Sequence, residues 1–180
     1  MGHGSEILKQ MEHCFQEKLF DSEQSILRTG KNGTYVLEWK ENQTTVKAEI
    51  IAADTIGVLL NSLMVEKDIS ESQETIAYLR RVAESIEKRV TYLMEPLKLV
   101  ELDSTSNALQ IRSEKPEISD GVISYFEVIL KSGRWFGYRN SLLLRRYSQR
   151  PGEEKDRTLT PFPLTKKQLE RLLDDLIEAL

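Results

Sequence analysis

The chain has 180 residues, 39% hydrophobic and 30% charged, with 25 Lys and Arg against 29 Asp and Glu, a formal net charge of −4 and a pI near 5.4. That composition excludes a disordered polyampholyte, no apolar run reaches the roughly 18 residues of a membrane-spanning helix, and an acidic pI argues against wholesale nucleic-acid binding. The single cysteine, Cys14, allows no internal disulfide, and without the basic, apolar and small-residue layout of a secretory signal the expected location is cytoplasmic.

Residues from about Ser5 to Phe20 place Ile7, Leu8, Met11, Cys14, Phe15 and Leu19 at helical spacing, which predicts an amphipathic first helix. Met1 to Ser5 resembles a cloning remnant, and His3 is given no weight. From Ser25 to Ile51 the pattern turns to strands. Lys31-Asn32-Gly33 is a hairpin signal, Tyr35, Leu37 and Trp39 alternate with polar positions, and a turn at Glu41-Asn42-Gln43 leads into Val46, Ala48 and Ile50. Asp54 or Thr55 then reads as the start of a second helix with Ile56, Leu59, Leu60, Leu63 and Met64 as its apolar stripe. A longer helix follows, with a capping box at Ser70 and Gln73, apolar positions running from Ile76 to Leu97, and Pro96 as its stop.

Leu97–Leu102, Leu109–Arg112, Val122–Lys131 and Arg134–Tyr147 read as four strands. Gln149 to Pro163, rich in proline and charge, reads as a loop and the most mobile internal segment. The last helix has Thr165 as N-cap, Gln168 completing a capping box, and Leu164 with Leu169 as a hydrophobic staple, so its first turn should begin at Lys166. Its stripe, Leu169, Leu172, Leu173, Leu176 and Ile177, repeats that of the second helix at a constant offset of 113 residues. This allows two pseudo-symmetric sheet-plus-helix halves, although the helical period alone generates such a match. The expected fold is α+β, with antiparallel strands in two groups (about 25–51 and 97–147) and about four helices. It forms one domain over 1–180 that could divide into halves 1–68 and 69–180.

Catalytic and metal chemistry find little to work with. His3 and His13 are the two histidines, both N-terminal, and His13 and Cys14 project about 100° apart on a helix. Gly30 to Thr34 lacks the spacing of a phosphate loop and precedes a strand. The doublets Asp174-Asp175 and Glu153-Glu154 read as solvated faces. No cofactor or metal is expected.

One segment stands apart. From Val122 to Arg157 there are eight basic and four acidic side chains, leaving 17 basic and 25 acidic elsewhere, and Tyr125, Phe126, Trp135, Phe136, Tyr138 and Tyr147 lie among the cations. Strand parity puts Phe126, Val128, Leu130, Phe136, Tyr138, Leu142 and Leu144 toward the core. Tyr125, Glu127 and Lys131, then Trp135, Arg139, Arg145 and Tyr147, fall on the other face. Rings beside guanidinium groups can stack planar ligands and neutralise anions; alternatively a helix of the same chain covers this face, with the arginines snorkelling at its rim.

The function expected is that of a non-enzymatic intracellular binding or adaptor protein acting through Tyr125, Lys131, Trp135, Arg139, Arg145 and Tyr147. Its expected partner is a protein, for which an acidic surface would be complementary. Single-stranded nucleic-acid binding is the alternative, and an enzyme with an unrecognised carboxylate site a third. No membrane is involved, and a homodimer is allowed.

Overall fold

The computed structural model describes residues 2–23, 25–69, 75–133, 138–152 and 156–180. Among them are three helices and one antiparallel sheet of eleven strands. Helix α1 (His3–Gln16) is followed by strands β1 (Leu27–Thr29), β2 (Tyr35–Glu41), β3 (Thr44–Ala53) and β4 (Gly57–Asp68). After helix α2 (Thr75–Arg89) come β5 (Leu97–Asp103), β6 (Ala108–Ser113), β7 (Glu117–Ser119), β8 (Val122–Lys131) and β9 (Arg139–Gln149). The short strands β10 (Thr158–Leu159) and β11 (Phe162–Thr165) lead into helix α3 (Lys166–Ala179). The main path is β1-β2-β3-β4-β9-β8-β6-β5, with β7 on β8, β10 on β9 and β11 on β4. Pairing of Ser62–Asp68 with Arg139–Arg145 joins the two groups of strands into one surface.

Two hairpin turns follow the local chemistry. Asn32 and Gly33 adopt φ of 56° and 78° between β1 and β2, and Asn42 a φ of 50° between β2 and β3. Asparagine and glycine tolerate this left-handed region best. Helix α1 begins at His3, earlier than its apolar spacing suggested, and the amide of Gly4 donates to Asp174 Oδ1 at 2.8 Å. A Cβ at Gly4 would lie 2.1 Å from the Glu170 carbonyl oxygen, so glycine here lets α1 and α3 touch backbone to backbone.

The helix expected over Ile56–Met64 is instead strand β4. Asp54 accepts hydrogen bonds from the amides of Ile56 (2.7 Å) and Gly57 (2.8 Å). It closes a side-chain turn between two strands where an N-cap was expected, the same residue type serving both motifs. Donation from the Gly57 amide, then from that of Ile56, holds its carboxyl below the ordinary aspartate range. The apolar positions that mimic a helical stripe belong to a bulged strand: Val58 and Leu60 are buried, then Leu63 and Val65, with the phase inverted across Asn61-Ser62. Ile56, assigned to the stripe, is 74% exposed. The offset of 113 therefore matches a strand to a helix, and the repeat disappears.

Helix α2 stops at Arg89, seven residues ahead of Pro96. Val90-Thr91-Tyr92 all have weak helical propensity, and the chain turns with the Thr91 amide donating to the Arg89 carbonyl at 3.0 Å. The expected capping box at Ser70 and Gln73 lies outside the described residues. The far end of the predicted Gln149–Pro163 loop is sheet. Residues 158–165 enter and leave the gap between β9 and β4, so that Thr158 pairs with Ser148 and Leu159 with Tyr147, while Phe162 pairs with Leu60 and Thr165 with Gly57. A Cβ on Gly57 would meet the Leu164 carbonyl oxygen at 2.4 Å, so glycine admits β11.

All three helices contribute to a core on one side of the sheet. Ile7 and Met11 of α1, Leu79 and Ile86 of α2, and Leu172 and Leu176 of α3 cluster with Leu37, Ile50, Leu63, Ile111, Val128 and Leu142. Helix α3 starts at Lys166 as its sequence requires: Thr165 Oγ1 accepts from the Gln168 amide (3.2 Å) and Gln168 Oε1 accepts from the Thr165 amide (2.9 Å). Thr165→Ala is expected to cost about 1 kcal/mol in chemical denaturation, and a change near zero would show the cap to be idle. None of the helices among the described residues is long and apolar enough to cross a membrane.

Candidate functional site

Because the helices sit on one face, strand parity projects the alternate residues of β4, β9, β8 and β6 onto the other face, where no helix lies among the described residues. The register arranges them in rows across the strands. Met64, Leu143, Ile129 and Gln110 form one row; Ser62, Arg145, Glu127 and Arg112 form the next; Tyr147 and Tyr125 are paired beyond it. These rows enclose a groove of about 560 Å³, with Met64, Ile129 and Leu143 as its apolar floor and Lys131, Arg145 and Arg157 around it.

Most of the charge on this face is already paired. Glu127, with 4% of its side chain exposed, is held through Oε2 by Arg157 Nη1 (2.7 Å), Arg112 Nη2 (3.2 Å) and Gln110 Nε2 (2.5 Å). Arg157 lies over the Tyr147 ring, 4.1 Å from its centroid, and Arg112 over Tyr125 at 5.2 Å. Burial depresses the charged form of Arg157, but hydrogen bonds to Tyr125 and Glu127 and the Glu127 charge outweigh it, raising its pKa above the ordinary arginine value. Arg139 donates to Asp68 Oδ1 (2.8 Å) and lies 3.4 Å from Glu66 Oε1.

Arg145 differs from these three. Its Nε is buried without an acceptor, and the side chain has no ion pair or hydrogen bond within the described residues. Glu127 is its direct cross-strand neighbour, but that carboxylate is turned toward Arg112 and Arg157. On its other side stands Ser62, which carries no charge.

The residues singled out by sequence are therefore dispersed in role. Tyr125 and Tyr147 are on the helix-free face but only 5% and 9% exposed, sealed under guanidinium groups. Arg139 is neutralised, Lys131 has a partner, and Arg145 faces the groove unpaired. Trp135 and Phe136 lie outside the described residues. Tyr138, expected in the core, is 51% exposed with a φ of 57°, as it sits before the first paired residue of β9. Sequence reasoning missed Met64, Gln110, Arg112, Leu143 and Arg157 as members of this site. Parity along β9 alone puts Leu143 on this face, whereas Met64 joins it only once Gly57–Asp68 is read as a strand rather than a helix, and Arg157 falls in the expected loop.

On the helical face, the same strand β9 carries an ionic cluster in which Arg146 and Glu95 are buried and Glu117 is half-exposed at the edge. Arg146 Nη2 lies 2.8 Å from Glu95 Oε1 and 2.6 Å from Glu117 Oε2. The contact to Glu95 is ionic and off the hydrogen-bond direction, since that oxygen lacks a directed donor. Ser113 Oγ donates to the other Glu95 oxygen and accepts from the Phe126 amide at 2.8 Å. No group of three or more His, Cys, Asp or Glu suited to a metal ion occurs among the described residues. No family model, no curated protein and no solved structure matches this chain.

Proposed function

We propose that this protein is a non-enzymatic binding module that receives a segment of a partner protein in the groove on the helix-free face of its sheet. The observation that carries this reading is the groove itself: an apolar floor of Met64, Ile129 and Leu143, left uncovered by any helix among the described residues and bordered by three cations. Apolar side chains grouped on one surface are how proteins prepare contacts for other proteins. Glu127 is the groove's lining carboxylate, and its neutralisation by Arg112 and Arg157 leaves no free acid–base pair among the described lining residues, which supports binding over catalysis. A cytoplasmic setting suits a lone thiol such as Cys14, which stays reduced there.

Single-stranded nucleic acid is a weaker fit. Stacking on Tyr125 or Tyr147 would require displacing Arg112 or Arg157 from both ring and carboxylate, and Glu66 and Glu127 share the face that a polyanion would have to cross. The test is selection of binders from an unbiased library of displayed peptides, repeated against Leu143→Arg. Leu143 is half-buried on the open face, so the variant should keep its fold and lose the selected peptides. Undiminished binding by a folded Leu143→Arg protein would overturn the reading.

A further inference from the structure

We infer that Arg145 is the anion receptor of this groove, and that the partner segment it takes is extended and carries a carboxylate two residues away from a bulky apolar side chain. This rests on the groove being the binding face, and it adds the chemistry of what binds there.

A cation with a buried N–H and no acceptor loses solvation without compensation. The other described arginines of the face, Arg112, Arg139 and Arg157, all have carboxylates within 4 Å. Glu127 would be the natural internal partner for Arg145, but its Oε2 already receives Gln110, Arg112 and Arg157. Among the described residues, the carboxylates that share this face, Glu66, Asp68 and Glu127, are therefore committed to other cations, and the missing acceptor is the partner's. A guanidinium fork matches a carboxylate with two parallel hydrogen bonds.

The spacing follows from the strand. Leu143 and Arg145 are successive residues on one face of β9, about 6–7 Å apart along the strand. Met64 and Ile129 flank Leu143 on either side. An extended segment running along β9 has the same repeat, so its acidic and apolar side chains meet Arg145 and the Leu143 floor together when one residue separates them. A single carboxylate satisfies the open fork of Arg145. A chain of phosphates would place further charge beside Glu66 and Glu127.

The experiment is fluorescence anisotropy with labelled peptides on a Gly-Ser framework. One carries Glu-Ser-Leu, a second Gln-Ser-Leu, and a third Glu-Leu with no spacer; a labelled oligothymidylate is the fourth probe. The Glu-Ser-Leu peptide should bind about tenfold more tightly than its Gln counterpart, in the range of a charge-assisted hydrogen bond, and more tightly than the unspaced form. Arg145→Gln should erase the Glu-over-Gln preference, Arg145→Lys should retain part of it, and Leu143→Ser should weaken both spaced peptides alike. Melting curves of each variant confirm that the fold persists.

Equal binding of the Gln peptide, a preference that survives Arg145→Gln, no binding of the Glu-Ser-Leu peptide, or tighter binding of the oligonucleotide would each overturn the inference. Library-selected peptides that need Leu143 but show no acidic preference would remove the role of Arg145 and leave the groove standing as the binding face.

Discussion

Arg146→Met is expected to lower the free energy of unfolding by about 3–5 kcal/mol, the cost of leaving a buried charge without its counterion. Glu95 is 4% exposed and belongs to the stretch between α2 and β5. Its contacts are the Arg146 guanidinium and the Ser113 hydroxyl. Removing the guanidinium strands that carboxylate and releases Glu117, which ties β7 to the sheet. It also removes a cation 4.7 Å above the Phe126 ring. Adding Glu95→Gln should recover much of the loss, because an uncharged amide is far cheaper to bury. Urea denaturation of both variants measures this. A single variant that loses less than about 1 kcal/mol, the range of exposed pairs, would mean that water already screens the cluster.

Phe162→Ala should be comparably damaging, at about 3–5 kcal/mol. Phe162 is 1% exposed and opens β11, where the chain turns back toward α3 after dipping between β9 and β4. Its ring meets Phe126 edge to face at 5.3 Å, and its backbone pairs with Leu60. The strands β4 and β9 pair directly from Ser62 to Asp68; beyond Ser62, the segment 158–165 occupies the widening gap. Truncation leaves a cavity at that junction, so hydrogen-exchange protection should fall first for Val58–Leu60 and Arg146–Ser148. An intact exchange pattern with a small stability change would show that the segment rests on the sheet rather than holding it open.

The difference between what the sequence disclosed and what it hid has a physical pattern. Helix α3 was legible because Thr165, Gln168, Leu164 and Leu169 each specify the same local geometry, and local signals that agree are the reliable ones. Strands β2, β3, β8 and β9 were legible through alternation. Strand β4 was misread because a bulge across Asn61-Ser62 spaces its buried residues like a helical stripe, and Asp54 closes a turn with a residue that also caps helices. Strands β7, β10 and β11 have two to four residues, too few to show a period, and β11 finds its partner in β4, far back in the chain. The face carrying Arg145 was found by parity alone. Which arginines are spent on Glu127, Glu66 and Asp68, and which one is left over, depends on cross-strand register and side-chain direction, and no sequence pattern encodes these.

The most direct test of the binding face is an amide NMR titration of the ¹⁵N-labelled protein with a library-selected peptide. The largest shift changes should fall on β4, β9 and β8 around Met64, Leu143, Arg145 and Ile129, with the helical face little affected. Shifts concentrated instead at the tip of the β3–β4 hairpin and β11, where Ile56, Pro163 and Leu164 line a second apolar cleft, would contradict it and move the binding site to the opposite end of β4.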